Sequence, residues 1–366
     1  MFPELKVTEQ ELITYLQRVS EHDVMLSLKK HRLNLNDFVN LISPAALNCI
    51  DLMRQIATRN KKMHYGKTVK MYTPLYISNY CINRCQYCGF NSSLNRKRKR
   101  LSIEEAVLEA KVIRDYGIDS LLLVSGEDPE YITLDYLVEL TKQLKNLFSY
   151  IAIEIYPMDK ENYIKLFKAG IDGLTLYQET YDDATYDKLH LSGPKADYKN
   201  RLNFMKYGAQ AGFRTLGLGV LLGLYDWKID TISMMAHAQW LKKRFWKSKI
   251  QFSFPRITPA EGAFEVPNAI SDIELEQIVL AVRITEPESE ISISTRESEL
   301  FRNKTVLTAA STISAASSVV PGGYVDRKDR ALEQFSLNDN RSVKQLDKDL
   351  KKIGIDPVYK DWDSCI

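Results

Sequence analysis

Cys81, Cys85 and Cys88 fall within eight residues, in the run Cys81-Ile82-Asn83-Arg84-Cys85-Gln86-Tyr87-Cys88. Thiolates are soft ligands that suit iron–sulfur clusters and zinc. A closed structural zinc site takes four ligands, and a cubane cluster usually takes four cysteines. Only three are close here; the nearest upstream histidine is His64 and the next downstream is His190. A cubane on three cysteines leaves one iron with an open position, which is what a reactive ligand needs. Zinc completed by a remote histidine is the alternative. An odd cysteine cluster in a chain of 366 residues does not suit a disulfide framework. Cys49, within the helical pattern Ala45–Met53, is expected to be a core thiol, and Cys365 a free, exposed one.

The elements that must position these thiols can be read from periodicity. From Val69 onward, short β-branched or apolar runs alternate with helical stretches of roughly 10–18 residues, the pattern of parallel β/α units. Strands are predicted at Val69–Ser78, Ser120–Ser125, Ile151–Tyr156, Gly173–Gln178, Thr215–Val220, Gln251–Pro255, Ile291–Thr295 and Thr312–Ala315. Helices are predicted near Ser102–Tyr116, Leu134–Phe148, Lys160–Ala169, Tyr198–Ala211, Trp227–Phe245, Ser271–Ile284 and Ser298–Leu307. Several of them end at a glycine that can take the left-handed cap, namely Gly117, Gly170 and Gly212. Eight strands in this order predict an α/β fold, a (β/α)8 TIM-type barrel over residues 69–320, with an open α/β sheet as the alternative. Residues 1–68 are predicted to be an N-terminal helical extension, beginning at the Thr8/Glu11 capping box and packed on the barrel because no Gly/Ser-rich linker follows. Residues 321–366 are polar and are expected to form a short C-terminal tail packing on the barrel.

The cysteine motif follows the first strand. Ser125-Gly126-Glu127 ends the second, Glu154 lies near the end of the third, and Gln178-Glu179-Thr180 follows the fourth. Pro255-Arg256 ends the sixth and Thr295-Arg296-Glu297 the seventh. In a parallel barrel all of these stand on one rim, the rim where barrel enzymes do chemistry.

Lys plus Arg number 50 and Asp plus Glu 47, a net charge of +3. That balance argues against nucleic acid or a membrane surface as the main partner. No apolar run approaches the roughly 18 residues that span a bilayer. The N-terminus has no signal-peptide core, so a cytoplasmic location is expected. The run Arg96-Lys97-Arg98-Lys99-Arg100 has three readings: a solvated loop, a nucleic-acid patch, or, because it follows the cysteine loop, a dock for an acidic electron donor. Gly217-x-Gly219 does not open a dinucleotide fingerprint, since no acidic ribose partner follows at the required spacing.

CxxxCx(aromatic)C, with Tyr87 before the third cysteine, resembles the signature of radical S-adenosylmethionine (SAM) enzymes. Ser125-Gly126-Glu127 resembles their Gly-Gly-Glu motif, which faces the SAM amino group. The resemblance implies a radical SAM barrel with a 4Fe–4S cluster on Cys81, Cys85 and Cys88. Its unique iron would chelate SAM, and the reduced cluster would cleave SAM to methionine and a 5′-deoxyadenosyl radical that takes a hydrogen from the substrate. The protein's share is to position the substrate and exclude water.

Further blocks narrow the resemblance: Leu176–Tyr181, Leu191–Tyr198, Gly217–Trp227, Phe252–Arg256, Ile293–Ser298 and Ser314–Tyr324. Together they resemble the 2-iminoacetate synthases, the anaerobic tyrosine lyases of thiamine biosynthesis, and Asp361–Ser364 fits as well. This implies cleavage of the Cα–Cβ bond of L-tyrosine to 2-iminoacetate and 4-methylphenol. It also implies thiazole synthase as a partner and a flavodoxin- or ferredoxin-type electron donor. The tyrosine lyase of hydrogenase maturation shares these motifs but carries further C-terminal cysteines, where this chain has Cys365 alone. A tryptophan lyase of the superfamily and a non-catalytic iron–sulfur or zinc module also stay open at the level of sequence.

Residue by residue, the resemblance implies that Arg201 pairs with the SAM carboxylate, that Glu154 bonds the SAM ribose, and that Tyr87, Ser125, Gly126 and Glu127 belong to the cofactor site. It implies that Arg296 holds the substrate carboxylate, with Ser314 as a further contact. The bland readings are a solvated Arg201, a strand-end Glu154, and an Arg296 paired with Glu297. Gln178, Glu179, His190 and Arg256 receive no role beyond a polar rim. Ile257–Glu261 replaces a more basic stretch expected in the family, which leaves that loop open.

Overall fold

Three short helices open the chain, and each starts at a reciprocal cap: Thr8 with Glu11 for α1 (Glu9–Arg18), Ser20 with Asp23 for α2 (Glu21–Leu28), and Asn34 with Asp37 for α3 (Leu35–Ile42). In each, the cap side chain accepts a backbone N–H that has no helical partner, and the acid returns the bond. A 3₁₀ turn at Pro44–Cys49 leads into α4 (Ile50–Tyr65), which stops at Gly66 in the left-handed region, φ 59°. Cys49 is buried there, as expected. The computed structural model describes residues 1–262, 264–326 and 333–360.

The barrel follows as β1 (Thr68–Ser78), α5 (Ile103–Asp115), β2 (Ser120–Ser125), α6 (Leu134–Leu144), β3 (Tyr150–Glu154), α7 (Lys160–Ala169), β4 (Gly173–Thr175), α8 (Asp183–Leu189), α9 (Tyr198–Ala211), β5 (Thr215–Gly219), α10 (Trp227–Arg244), β6 (Lys249–Ser253), α11 (Asp272–Thr285), β7 (Glu290–Ile293), α12 (Glu299–Thr308) and β8 (Thr312–Ser314). All pairs are parallel, in the order β2 to β8 and then β1, and β1 also pairs with β2. The sheet is therefore closed, which overturns the open-sheet alternative. The length of β1 makes closure possible: Lys70–Tyr72 pair with β8, and the residues from Thr73 to Ser78 pair with β2. Strands buried on both faces need continuous apolar runs, and Leu121–Val124 in β2 and Ile151–Ile153 in β3 supply them.

The N-terminal helices are fastened to the barrel. Arg54 on α4 bonds Glu276 on α11 at 2.7 and 2.9 Å, and the Gln277 amide donates to the carbonyls of Leu41 and Ser43. The described part of the C-terminal region holds regular structure that its polar composition did not suggest. It contains α13 (Val343–Lys352) and a ninth strand, β9 (Asp356–Val358), which pairs with Thr68–Lys70 at the start of β1. Before α13, residues 333–341 cross the rim: Ser336 N bonds Pro259 O at 2.9 Å, and Asn338 N and Asp339 N bond Thr295 O at 2.9 and 3.1 Å. Cys365 and Asp361–Ser364 lie outside the described residues. Among the described residues, no helix is long and apolar enough to cross a membrane.

Candidate active site

The cysteine loop leaves the end of β1 and is stitched on two sides. Ile82 N bonds Glu127 O at 3.1 Å, and Gly126 N bonds Ser78 O at 3.0 Å. On the other side, Arg84 and Gln86 pair in antiparallel fashion with the segment after α8, through Ser192, Leu191 and Leu189. Gly126 is needed for packing: a Cβ there would collide with the Tyr80 carbonyl oxygen. Ser125 Oγ donates to Gly126 O at 2.8 Å and so closes the same turn.

Cys81, Cys85 and Cys88 line one cavity, together with Ser125, Gly126, Glu127, Glu154 and Arg201. Burial, with Glu127 next, pushes the Cys81 thiol up to about 11, and burial lifts Cys85 further. Both are protonated near neutral pH until a metal displaces the proton. Among the described residues, no three His, Cys, Asp or Glu side chains converge tightly enough for a single ion. The three thiols line one cavity, and a set of soft sulfur ligands suits an iron–sulfur cluster. The histidines are also committed elsewhere. His190 Nδ1 lies 2.7 Å from Tyr186 O and its Nε2 2.8 Å from Tyr87 OH. His64 is in the last turn of α4, beyond the opposite end of the 11-residue β1, on the order of 30 Å away at a strand's rise per residue.

A chain of alternating charge runs along this cavity. Glu127 accepts from Asn83 Nδ2 at 2.8 Å and from Arg201 Nη1 at 2.7 Å. Arg201 also donates to Tyr177 O at 3.1 Å, and its Nη2 lies 3.9 Å from Glu179, which pairs with Lys195 at 2.6 Å. Arg201 is buried, not a solvated helix arginine. Burial alone would raise the Glu127 pKa, but Arg201 and Lys195 hold it below its usual value. Burial likewise opposes the charge on Lys195, and the Glu179 carboxylate outweighs it, so the ammonium is held well above its usual range. Glu179 is strained, at φ 71°, a conformation uncommon for a residue with a side chain and concentrated at functional sites.

A second cavity adjoins the first and is lined by Arg296, Ser314 and Tyr87, with Cys88 and Glu154 lining both. Arg296 does not pair with Glu297. Arg256 takes that carboxylate, with Nε at 3.0 and 3.2 Å, and thereby acquires a role that its sequence did not reveal. Among the described residues, Arg296 Nη1 reaches Arg256 O at 3.3 Å and Thr258 Oγ1 at 3.4 Å, and its guanidinium lies 3.3 Å from the centroid of Phe335. No carboxylate among the described residues pairs with it, and burial lowers its pKa. Ser314 Oγ accepts from Thr295 N at 3.0 Å, so it fixes the backbone that carries Arg296. The Glu154 carboxyl has no hydrogen-bond partner among the described residues; burial, and then Glu179, raises it to about 7. Tyr87 lines this second cavity and not the thiol cavity.

The basic run is a correction. Arg98 turns inward and donates to the carbonyls of Asn79 at 2.7 Å, Phe90 at 2.9 Å and Asn91 at 2.7 Å. Arg96 bonds Gly89 O and, at 2.9 Å, Glu333 O. Lys97 and Arg100 face outward. The run is thus half scaffold, because a loop of exposed carbonyls needs donors when it folds back on itself. Asn83, Lys195, Tyr76 and Gln334 also line the site and were missed in the sequence. Asn83, inside the cysteine motif, was the one with a local signal.

Comparison with known proteins gives a consistent picture. The profile of the Radical SAM superfamily matches residues 75–236, and that of the Biotin and Thiamin Synthesis associated domain matches residues 253–356. The chain is 39% identical to the 2-iminoacetate synthase of Escherichia coli (strain K12), over 94% of this chain and 91% of that one. Among solved structures, it superposes on HydG, a maturase of the [FeFe]-hydrogenase, with TM-score 0.91 and 31% identity, covering 96% of this chain and 79% of that one. The HydG of Carboxydothermus hydrogenoformans gives TM-score 0.85 and 34% identity, with 97% and 86% covered.

Proposed function

We infer the function on the premise that this chain belongs to the 2-iminoacetate synthase family, within the radical SAM superfamily. It is a carbon–carbon lyase that splits L-tyrosine between Cα and Cβ into 2-iminoacetate and 4-methylphenol for thiazole formation in thiamine biosynthesis. The observation that carries the site assignment is Arg296: a half-buried guanidinium without a carboxylate partner among the described residues, facing a cavity it shares with Cys88 and Glu154.

When bound, a 4Fe–4S cluster and SAM supply the radical that starts the reaction. The chain's own residues bind, orient and exclude water. Cys81, Cys85 and Cys88 would hold the cluster, and their common lining of one cavity supports that reading. The methionyl end of SAM is a zwitterion, and the wall offers its complement: Glu127 for the amino group, Arg201 and Lys195 for the carboxylate. Glu154, near pH 7 able to donate or accept, serves the ribose where the two cavities meet. Arg296 binds the tyrosine carboxylate as a charge-assisted fork. Ser314 acts on the substrate through the backbone of Thr295. Tyr87 closes the substrate side, its hydroxyl donating to a neutral His190 whose pKa burial lowers to about 3.

Thiazole synthase as the recipient of the iminoacetate, a flavodoxin- or ferredoxin-type donor, and a cytoplasmic setting complete the proposal. Anaerobic reconstitution with iron, sulfide, SAM, dithionite and L-tyrosine tests it. Tyrosine-dependent 4-methylphenol and one 5′-deoxyadenosine per turnover are expected; 5′-deoxyadenosine without 4-methylphenol would rule out the substrate.

A further inference from the structure

The cysteine loop is touched by a part of the chain 246 residues downstream. Gln334 stands on the segment that crosses the rim. Its Nε2 lies 3.7 Å from Cys88 Sγ, and its Oε1 accepts from Tyr76 OH at 2.7 Å. In this arrangement the amide oxygen takes the hydroxyl hydrogen of Tyr76 and the N–H end faces the sulfur. Cys88 Sγ also accepts from Phe90 N at 3.4 Å. Among the described residues, neither of the other two motif sulfurs has a side-chain donor. The approach is built into the backbone. Gly89 carries no side chain where the Gln334 carbonyl passes, since a Cβ would collide with that oxygen. The Arg96 guanidinium bonds Gly89 O on the loop and Glu333 O on the segment. Gln334 lines both cavities.

We propose that Gln334 is a positioning residue for the cluster: by donating to the Cys88 thiolate it raises the cluster's reduction potential and makes uptake of the first electron depend on the C-terminal segment being seated. The proposal rests on the reading of Cys81, Cys85 and Cys88 as cluster ligands. One electron passes from an external reductant, dithionite or a flavodoxin-type donor, to the cluster, and no bond is made or broken in that step. The reduced cluster carries one more negative charge, so a donor on a ligand sulfur is stronger after reduction than before it. Hydrogen bonds to the sulfurs are among the determinants of iron–sulfur potentials.

The test uses full-length protein reconstituted anaerobically, as wild type, Gln334→Met, Gln334→Glu and Tyr76→Phe. Iron and sulfide content are measured first, then the reduced-cluster EPR signal through a dye-mediated redox titration without SAM or tyrosine. At the wild-type midpoint, the reduced-to-oxidised ratio is expected to fall about tenfold in Gln334→Met, equivalent to about 59 mV for one electron. Gln334→Glu is expected to fall further, since a carboxylate cannot donate and adds charge. Tyr76→Phe, which frees the amide to turn, should fall less. A loaded Gln334→Met with the wild-type midpoint overturns the proposal, since a merely structural segment would alter loading or stability and leave the potential in place. Should Gln334→Met not take up a cluster, Tyr76→Phe decides, and an unshifted midpoint there overturns it. A wild type that assembles no cluster refutes the underlying reading before any variant is compared.

Discussion

Arg256 and Arg296 follow successive strands with the same charge and differ in their company. Arg256 is saturated by Glu297 and, at 2.7 Å, by Asp272, whereas among the described residues Arg296 meets a carbonyl, a hydroxyl and a ring. The sequence places both on the rim and cannot say which one is already paired, because Glu297 adjoins Arg296 in the chain and bonds Arg256 in space. Removing Arg296 should therefore affect the substrate more than the fold. Arg296→Ala is expected to cost about 2–5 kcal/mol of tyrosine binding, seen as a higher KM for tyrosine with SAM affinity little changed. A larger loss of SAM affinity than in Arg201→Ala would reverse the two assignments. Glu154 makes a second residue-scale prediction. Its folded pKa of about 7 stands above the ordinary carboxyl value of 4.5, so the folded protein binds more protons between those values than the unfolded chain. Its contribution to stability is full below pH 4.5 and is lost as pH rises through about 7. Glu154→Gln should flatten the pH dependence of unfolding in that window by close to one proton, measured by denaturant titration of the cofactor-free protein.

At the scale of elements, the strands and barrel helices were legible because period and capping agree. β2 has the predicted bounds, and α7 and α9 do too. The prediction overran at β4, where Gly173–Thr175 is followed by a stretch that still bonds Gly217 and Gly219 before turning at the strained Glu179. A side chain in a left-handed conformation leaves no trace in composition. The helix α13 was missed although Val343, Leu346 and Leu350 recur at helical spacing, because the surrounding charge masked them. The basic run after the cysteines was misread for a similar reason: five like charges look solvated until alternate side chains are seen to fold inward. Arg98→Gln should then strand three carbonyls and lower both melting temperature and iron loading with any reductant, since an unsatisfied buried polar group costs about 1–3 kcal/mol. Lys97→Gln with Arg100→Gln is the separate docking test. It should slow turnover with a flavodoxin-type donor, fade with added salt, and leave dithionite-driven turnover in place. Equal losses with both reductants would remove docking as the role of the outward pair.

Across the whole molecule, the C-terminal region is bound into the barrel at opposite faces. β9 pairs at the entry of β1, below the lumen, while residues 333–341 cross the exit rim above it. Asp339 is the anchor of that crossing. It is buried, it accepts from Arg341 Nε at 3.0 Å, and it contacts Arg302, which also donates to the Ser314 carbonyl. Ser314 in turn holds Thr295 N, next to Arg296, so one carboxylate links the C-terminal segment, β8 and the substrate arginine. Removing it leaves two buried guanidinium groups without their shared acid, a loss on the order of 3–5 kcal/mol for a broken buried pair. Asp339→Ala is expected to lower unfolding stability by that amount in a urea titration and to weaken tyrosine binding together with it. Glu299→Ala removes the exposed partner of the same Arg341, at 3.7 Å, and should change neither beyond a few tenths of a kcal/mol. If Asp339→Ala lost stability but kept the wild-type KM for tyrosine, the segment would stabilise the barrel without shaping its substrate site. A parallel loss of both would show that the site is complete only when the C-terminal segment is in place.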